Sequence, residues 1–391
     1  MAESILVLNV GSSTLKFGIF RVEDDDTVIQ GVVDRGGPNA GELRTIDSSG
    51  RSESSRFPLG SGSLAEELLR FLDRQGMLTP IQAVGHRLVH GGDSMREPVR
   101  VDASVRALLN QLVPLAPKHL PAELSAIDAV SRLRPSIEQI ACFDTAFHSS
   151  LPRVARLFAI PRELSEAGIR RFGFHGLSYE YVTTTLRERG ELPSRTIVAH
   201  LGNGASICAV LEGASIDTSM GMTPSGGLVM STRSGDLDPG LLLYLMRERG
   251  YTGEQLEEVT DGRGGLLGIS GLSGDVRELL FASATNDGAR AAIDAFCYQI
   301  RKFVGAYAVV LGGLDALIFT GGIGEHSSLV RASICGGLHS LGLTLDPELN
   351  TENAPLVSNA SSRILVRTIH TREDVMIARH VRAVLAGRGA L

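Results

Sequence analysis

The side chains that could perform chemistry occur in four short segments, each of which places a charged group beside the predicted end of a strand. The segments are GHRLVHGG at 85–92, FDTAFH at 143–148, RRFGFHG at 170–176 and STRSGD at 231–236. An arginine in a mostly apolar strand is costly to bury without an anionic partner, and its guanidinium group matches carboxylate or phosphate in a bidentate geometry. Arg87 and Arg233 therefore indicate either an anion-binding site or structural ion pairs.

His175 and Asp144 are the other two groups of interest in these segments. His175 is flanked by Phe174 and a glycine, which fits a histidine that donates to a ligand or one that is satisfied inside the core. Asp144 directly follows an apolar run, so it either acts at a site or caps the next segment. The residues alone leave both alternatives open.

The stretch from Ile5 to Phe20 predicts a strand, a tight turn and a second strand. Its turn combines the residues GSST at 11–14 with Lys16 shortly afterwards. Backbone N–H groups, hydroxyls and an ammonium group at a glycine turn can cradle phosphate oxygens. An ordinary polar hairpin tip is the alternative, because turns favour glycine and serine in any case.

The same sequence pattern occurs again at 196–212, TIVAHLGNGASICAVLE, where an apolar run, an Asn-Gly turn and a second apolar run follow one another. Two such units suggest a duplicated fold that holds nucleotide between its halves, although two unrelated hairpins would look similar. The sequence contains neither the P-loop pattern nor the Rossmann glycine fingerprint. We therefore expect the hairpin tips to handle phosphate, and the glycine turn at 321–324 to admit a flat ligand close to the backbone.

Apolar periodicity supplies the elements that would position these groups. The pattern predicts helices at 64–74, 101–113, 121–133, 240–249, 287–311 and 373–385, and strands at 83–89, 137–143, 316–319 and 363–366. Pro117 and Pro121 are expected to keep the residues between them out of helix. In the longest helix, Ala291 and either Ala306 or Tyr307 are expected to point inward. The pattern restarts near residue 150, which predicts two domains.

Composition narrows the class of protein. The 391-residue chain is 43% hydrophobic, enough for a sizeable core, and its net charge of −6 without a basic run argues against a nucleic-acid partner. Four separated cysteines (Cys142, Cys208, Cys297 and Cys335) are expected to be reduced core residues of a cytoplasmic protein. Without an apolar run of about 18 residues or a basic leader, the sequence predicts neither membrane spanning nor secretion.

Taken in chain order, the segments resemble the acetate kinase family, the acetate and butyrate kinases of the sugar kinase, Hsp70 and actin superfamily. The matching motifs are NVGSSTLKF, GHRLVHGG, FDTAFH, RRFGFHG, HLGNGAS, DTSMGMTP, STRSGDLDP, GLLGISG, FTGGIGE and HTREDVMIAR, which span nearly the whole chain. The resemblance implies an α/β protein with the duplicated actin-like ATPase (ribonuclease H-like) fold, two domains and an interdomain cleft. It places the N-terminal domain at 1–150, completed by a helix at 374–391, and the nucleotide-binding C-terminal domain at 151–373. A homodimer is a further expectation from the family.

The family's reaction transfers the γ-phosphoryl group of ATP to acetate with Mg²⁺ (or Mn²⁺), giving acetyl phosphate and ADP. Acetate is already anionic at neutral pH, so a general base is not needed. The barrier lies in bringing two anions together and in stabilising charge on the equatorial phosphoryl oxygens. Asp144 is therefore interpreted as orienting Arg87 or the metal shell, and not as a base.

The resemblance assigns candidate roles residue by residue. The catalytic set is Asp144, Arg87, Arg233, His175 and His119. The acetate-binding set is Arg87, Val89, Phe174 and Pro224, and the metal set is Asn9 and Glu373. The residues matched to the nucleotide and its phosphates are Ser12, Thr14, Lys16, His200, Asn203, Gly204, Asp275, Arg277, Gly322, Ile323, Gly324 and Glu325.

Four positions depart from the family's pattern. Lys118 stands where the family typically has leucine against the acetate methyl group, Leu120 replaces an asparagine, Ser231 replaces a glycine, and the segment HTRED at 370–374 replaces P-T-x-E-E. None of these removes a candidate catalytic residue. Lys118 either turns outward on its long stem, leaving the apolar wall intact, or biases the site toward a different acid.

These observations predict a Mg²⁺- and ATP-dependent kinase of short-chain carboxylates, with acetate first and propionate second. A nucleotide-binding regulator on the same scaffold that has lost turnover is the alternative, against which the presence of Arg87, His175 and Arg233 argues. If the guanidinium of Arg233 bonds only to phosphoryl oxygens, Arg233→Leu should lose far more rate than stability.

Overall fold

The computed structural model describes residues 3–11, 14–37 and 40–387. The chain divides into two compact units. The first unit is Met1–Ala146 with Arg372–Leu391, and the second unit is Phe147–Thr371. That these units correspond to the two domains expected from the sequence stays a prediction.

The first unit contains an eight-stranded sheet. Its strands are β1 (Ser4–Val10), β2 (Thr14–Arg21), β3 (Thr27–Gly37), β4 (Ala40–Asp47), β5 (Ser52–Pro58), β6 (Ile81–Leu88), β7 (Val99–Arg100) and β8 (Glu138–Phe143). Their order in the sheet is β5-β4-β3-β2-β1-β6-β8-β7. β1 runs antiparallel to β2 and parallel to β6, and β6 runs parallel to β8.

The second unit contains a five-stranded sheet. Its strands are β9 (Arg195–Leu201), β10 (Ala205–Leu211), β11 (Ala214–Thr218), β12 (Ala316–Thr320) and β13 (Leu365–Thr368), in the order β11-β10-β9-β12-β13. β9 is antiparallel to β10 and parallel to β12, and β12 is parallel to β13. The first sheet repeats this order and these directions in β3-β2-β1-β6-β8, which confirms the duplicated fold expected from the two hairpins.

Helices cover the sheets. They are α1 (Leu64–Arg74), α2 (Ala103–Gln111), α3 (Leu120–Leu133), α4 (Arg153–Arg156), α5 (Arg162–Glu166), α6 (Gly176–Glu188), α7 (Pro239–Arg249), α8 (Gly253–Glu257), α9 (Gly265–Ser270), α10 (Val276–Ala282), α11 (Asp287–Val310), α12 (Gly321–His326), α13 (Ser328–Gly336), α14 (Pro347–Thr351) and α15 (Glu373–Leu385). Short 3₁₀ segments occupy Val113–Leu115, Ala146–Ser150 and His339–Leu341, and a π-helical turn occupies Glu258–Gly262. Within the described ranges, no helix combines the length and apolar character that crossing a bilayer requires.

Each unit has its own apolar core. In the first unit, Leu6, Leu8, Leu15 and Phe17 of the opening hairpin pack with α1 and α3. α15 lies close against β6 because Gly85 has no side chain, and a Cβ there would lie 2.6 Å from Ile377 Cγ2. This close approach packs α15 directly against β6.

In the second unit, the core includes Tyr179, Val182, Val198, Cys208 and Ile318. All four cysteines of the chain are free and buried, as the sequence predicted.

The structure corrects three local expectations. α3 begins at Leu120 with Pro121 in its first turn, where the missing N–H of proline is not needed for helix bonding. On α11, Ala291 and Ala306 are exposed while Tyr307 is buried, because small alanines define a helix face poorly. The glycine turn at 321–324 is the start of helix α12, and Gly321 makes the change of direction with a φ of 76°.

Candidate active site

Arg87 is the centre of a charged cluster in the first unit. It lies near the carboxyl end of β6, and its neighbours come from the ends of other elements: Asn9 from β1, Asp144 directly after β8 and Glu373 from the first turn of α15. Because β1, β6 and β8 are parallel neighbours, their carboxyl ends meet at one edge of the sheet. The fold therefore brings these four predicted site residues together.

The hydrogen bonds hold the guanidinium group of Arg87 in a fixed orientation. Nε donates to Oδ1 of Asp144 at 3.1 Å, and Nη2 donates to Oδ2 of the same carboxylate. Nη1 donates to Oδ1 of Asn9 at 3.3 Å, and Oε2 of Glu373 lies 3.8 Å from Nε. The Asp144 side chain is only 1% exposed, whereas that of Arg87 is 18% exposed. Asp144 thus orients Arg87 from the buried side.

Burial and neighbouring charges shift the pKa values of Arg87 and Asp144. Burial disfavours the charged form of Arg87, but Asp144, Glu373 and Glu123 outweigh that effect and raise its pKa. Burial, with the negative charge of Glu373 added, raises the pKa of Asp144 to about 6 although Arg87 opposes the shift. Arg87 is therefore permanently charged, and Asp144 is ionised at neutral pH.

Glu123 on α3 is a buried carboxyl group beside this cluster. Its Oε2 accepts a hydrogen bond from the backbone N–H of Val89 at 3.0 Å, while Oε1 is buried without a hydrogen-bond partner among the described residues. Burial raises the pKa of Glu123 to about 7, although Arg87 and Val89 lower it in part. The sequence does not single out Glu123, because a glutamate in the first turn of a helix is ordinary.

In the second unit, His175 and His200 form a stacked pair. Their ring centroids lie 4.3 Å apart with an interplanar angle of 26°. His175 precedes α6 in the left-handed conformation, with a φ of 59°, which is uncommon for a residue other than glycine and is often retained at functional sites. The residue is half-buried.

Arg233 is paired with Asp261. Its Nε lies 3.1 Å from Oδ1 of Asp261, and its Nη1 donates to the backbone oxygen of Pro224 at 3.2 Å. Ser225 Oγ donates to the same carboxylate oxygen of Asp261 at 2.9 Å. The expectation that Arg233 would bond only to phosphoryl oxygens is therefore wrong. Asp261 was missed because its partner lies 28 positions away and no local pattern joins the two residues.

Gly204 lies next to both His175 and Arg233. A Cβ at Gly204 would stand 3.3 Å from Nε2 of His175 and 3.8 Å from Nη1 of Arg233. The absence of a side chain at this position leaves room beside both nitrogens. Together with His200, the fold thus assembles four of the predicted residues in the second unit.

The two hairpin turns contribute the residues predicted to lie near the phosphates. In the first, the N–H of Gly11 donates to the carbonyl of Thr14 at 2.7 Å, and Lys16 is an exposed residue of β2. Ser12 lies outside the described residues. In the second, the N–H of Gly202 donates to Gly204 at 3.0 Å, and Asn203 is exposed at the tip.

The predicted nucleotide segment at 322–325 forms the body of α12. A Cβ at Gly322 would meet no atom within 4 Å outside its own helix backbone, which leaves room for a ligand at this point. The Glu325 carboxylate is buried and points back, accepting the N–H of Gly321 at 2.8 Å and that of Thr371 at 3.2 Å and bonding to His370. Although burial opposes the shift, these bonds lower the pKa of Glu325. Glu325 therefore stabilises the turn at the start of α12 from its buried side.

Arg331 braces the same turn and was not identified from the sequence. It is fully buried and donates to the carbonyls of Gly324 and Glu325, both at 2.9 Å, and to the Asn350 and Asn353 side chains.

Asp275 and Arg277, which were also predicted to bind the nucleotide, are paired with each other at the start of α10, where Asp275 caps the helix.

The remaining predicted residues lie in both units. Val89 is buried in the first unit, and His119 stands directly before α3. Phe174 is buried in the second unit next to His175, and Ile323 follows Gly322 on α12. Lys118 is exposed.

Oxygen donors suited to a divalent cation surround Arg87. The described residues hold no group of three or more His, Cys, Asp or Glu side chains placed to bind a metal. The amide of Asn9 and the carboxylates of Asp144 and Glu373 are nevertheless hard ligands of the kind that Mg²⁺ takes, and this ion usually keeps several waters beside one or two carboxylates. The donor set therefore fits Mg²⁺ held largely through water.

The duplicated sheet topology defines an actin-like ATPase fold, and the chain is a kinase that acts on a carboxyl group. It belongs to the Acetokinase family, whose model matches residues 4–379. It is 43% identical to the acetate kinase of Rhodopseudomonas palustris (strain TIE-1) over 393 residues, covering 97% of this chain and 98% of the relative.

Two solved structures extend the comparison. The acetate kinase of Porphyromonas gingivalis has a TM-score of 0.88 and 37% identity, covering 98% of this chain and 100% of its own. The propionate kinase of Francisella tularensis subsp. tularensis SCHU S4 has a TM-score of 0.90 and 36% identity, covering 97% and 98%. The family expectation drawn from the motifs is thus confirmed.

Proposed function

We propose that this protein transfers the γ-phosphoryl group of ATP to acetate, reversibly, giving acetyl phosphate and ADP. The observation that carries the proposal is the Arg87 cluster, in which a buried aspartate holds a permanently charged guanidinium group at the carboxyl ends of three strands. An acetate oxygen attacks the γ-phosphorus, the bond to the ADP oxygen breaks, and ADP leaves with the bonding electrons. No proton has to be removed from acetate.

The chain's residues divide this work. Arg87 and Arg233 neutralise charge on the acetate and on the transferring group, and His175 donates a hydrogen bond to an equatorial oxygen. Asp144 and Asp261 keep the two arginines oriented before substrate arrives, which lowers the cost of ordering them during the reaction. Val89, Phe174 and Pro224 provide apolar surface for the acyl group, and His119 lies at the end of the loop that carries Lys118.

Asn9 and Glu373, with Asp144, would hold Mg²⁺ when the nucleotide is bound. The cation would neutralise phosphate charge and help to align the γ-phosphoryl group. The chain's own contribution is to keep these oxygens turned toward one edge of the sheet, where Arg87 already bonds to Asn9 and Asp144. Mn²⁺ prefers similar oxygen ligands and is expected to substitute.

The nucleotide is proposed to bind along the second unit, at the tips and turns that contain Asn203, Gly204, Asp275 and Arg277 and at the start of α12. The free space at the Cβ position of Gly322 supports this proposal, as do the bonds by which Glu325 and Arg331 hold the turn from its buried side. Thr14 and Lys16 are proposed to lie near the phosphates.

A hydroxamate assay tests the proposed activity. Purified protein with ATP, Mg²⁺ and acetate is expected to form acetyl hydroxamate, and omission of Mg²⁺ should abolish the product. Propionate is the second candidate substrate, because a propionate kinase is among the solved structures with the same fold, and one methylene changes pocket affinity by only about 1–3 kcal/mol. No acyl phosphate from acetate, propionate or butyrate would refute the proposal.

We also propose that the protein is a cytoplasmic homodimer. Helix α7 supports a dimer, because none of its residues is buried although it carries Leu241, Leu243, Tyr244 and Met246. Free thiols at all four cysteines and the use of ATP support the cytoplasm. Sedimentation should give twice the chain mass of 41.6 kDa, and Leu243→Glu should shift the species toward the mass of a single chain.

A further inference from the structure

Buried hydroxyl groups form hydrogen bonds to both rings of the His175 and His200 pair. Nδ1 of His175 lies 2.8 Å from Ser206 Oγ, and Ser206 Oγ bonds to the hydroxyl of Tyr179. Nδ1 of His200 lies 2.8 Å from Ser178 Oγ. Tyr179, Ser206 and Ser178 are all completely buried, so water cannot replace a missing partner.

The Tyr179 hydroxyl fixes the direction of the first chain. Burial raises the pKa of Tyr179, so its proton stays in place. Among the described residues this hydroxyl has no hydrogen-bond partner other than Ser206 Oγ, and a buried O–H without an acceptor is costly. Tyr179 therefore donates to Ser206, and Ser206 donates its own proton to Nδ1 of His175.

A neutral imidazole that accepts at Nδ1 carries its proton on Nε2. The same reasoning applies to His200, because the Ser178 hydroxyl has Nδ1 of His200 as its partner within the described part of the chain. Nε2 of His175 is also the atom beside Gly204, on the side where Nη1 of Arg233 lies. The chain of hydroxyls thus directs an N–H toward the space that Gly204 leaves open.

We propose that Tyr179 and Ser206 are positioning residues that hold His175 as the Nε2–H tautomer, ready to donate to an oxygen of the transferring phosphoryl group, and that Ser178 fixes His200 in the same tautomer. The donation to phosphoryl rests on the proposed function, whereas the tautomer does not. The alternative is that these bonds only pack α6 against β10. Removal of one hydroxyl oxygen should change the tautomer of His175 if these residues position it, and should leave the tautomer unchanged if they only pack the helix.

The test combines ¹⁵N NMR of histidine-labelled protein with steady-state kinetics on the full-length chain. The variants are Tyr179→Phe, which removes one oxygen and keeps the ring, and Ser206→Ala. The matched control is Tyr181→Phe on the same helix, whose hydroxyl lies outside this hydrogen-bond chain. His175→Gln identifies the His175 signals.

The wild type is expected to give ¹⁵N shifts of a protonated Nε2 and an unprotonated Nδ1 for His175. Tyr179→Phe should mix the two tautomers and lower kcat by about tenfold, and Ser206→Ala should lower kcat by about a hundredfold, with the KM for ATP and for acetate within about twofold of the wild type. Tyr181→Phe should change neither the shifts nor kcat.

A wild-type spectrum with the proton on Nδ1 would overturn the proposal, as would a Tyr179→Phe variant with unchanged ¹⁵N shifts and unchanged kcat. If Ser206→Ala does not fold, Tyr179→Phe alone decides. A protein that shows the expected tautomer shift but has no kinase activity would refute the proposed function and leave the assignment of the tautomer intact.

Discussion

The two arginines of the candidate site sit in contrasting surroundings. Arg87 in the first unit is enclosed by negative charge, with Asp144 bonded to it, Glu373 at 3.8 Å and Glu123 close behind. Arg233 in the second unit is paired with Asp261 and lies beside Gly204, which also borders the ring of His175. The first cluster has an excess of acid that suits a bound cation, whereas the second offers donors to an anion. Replacing Arg87 should therefore lower both stability and activity, whereas replacing Arg233 should lower mainly activity.

The largest effect is expected from Arg87→Leu. This change leaves the carboxyls of Asp144 and Glu123, each 1% exposed, without their cationic neighbour. Removing one partner of a buried pair costs about 3–5 kcal/mol of unfolding free energy, and loss of the charge at the reacting group should lower kcat/KM by a factor of about 10³ or more. Urea unfolding and steady-state kinetics measure the two effects.

Arg51→Leu serves as the control for Arg87→Leu. The ion pair between Arg51 and Glu53 is exposed, so its loss should change the unfolding free energy by less than about 1 kcal/mol and leave kcat unchanged. An Arg87→Leu protein as stable as the control would contradict the enclosure of Arg87 by buried acid.

Arg233→Leu should have a smaller effect on stability. Asp261 keeps its bond from Ser225 and remains partly exposed, so we expect a loss of about 1–2 kcal/mol of unfolding free energy and a fall of about 10²–10³ in kcat. Asp261→Asn keeps an oxygen that can accept the Arg233 bond and should lower kcat by about tenfold. A stability loss equal to that of Arg87→Leu would remove the distinction between the two clusters.

Glu123→Gln tests the excess of acid through pH. Because the folded-state pKa of Glu123 is raised to about 7, the folded state binds this proton more tightly than the unfolded state, and the wild type loses stability as pH rises from about 4.5 to 7. Glutamine removes this loss, so the variant should be more stable than the wild type by about 3 kcal/mol at pH 8 and equal to it at pH 4.

The control for Glu123→Gln is Glu97→Gln at an exposed position, which should give the same difference from the wild type at both pH values. A Glu123→Gln variant that is less stable than the wild type at pH 8 would mean that Glu123 is held as a charged partner of Arg87, contrary to this account.

The smallest effect is expected from Lys118→Leu. The Lys118 side chain is exposed, so replacing it should leave the KM for acetate within about twofold of the wild type. Kinetics with acetate and propionate on the same preparation measure this. A marked fall in the KM for acetate would instead mean that Lys118 faces the acetate methyl group and weakens its binding.

The sequence predicted the elements of the fold well where periodicity was strong. Helix α1 and helix α15 have the predicted bounds, and both hairpins form with the expected pairing. The inward face of α11 was predicted less well, because alanine carries too little apolar surface to define it. Leu120 was predicted to lie in the loop before α3, although it is the first residue of that helix.

The candidate site was predictable only as far as local motifs reach. The motif around Arg87 indicated an anion partner, but its approach to Asn9 and Glu373 depends on strands and a helix that meet only after folding. Asp261 and Glu123 carry no motif, and the bonds between Tyr179, Ser206 and His175 join a helix, a strand and a loop. Such pairs are a product of topology, which spacing in one sequence does not encode.

In the proposed reaction an acetate oxygen attacks the γ-phosphorus directly. The most direct test is ³¹P NMR of the product formed from ATP, Mg²⁺ and acetate labelled with ¹⁸O at both oxygens. Direct attack should give acetyl phosphate whose phosphorus carries one bridging ¹⁸O, seen as an isotope shift of its signal. An unshifted signal would mean that the bridging oxygen came from phosphate, and absence of acetyl phosphate would mean that acetate is not the acceptor; either result would contradict the account.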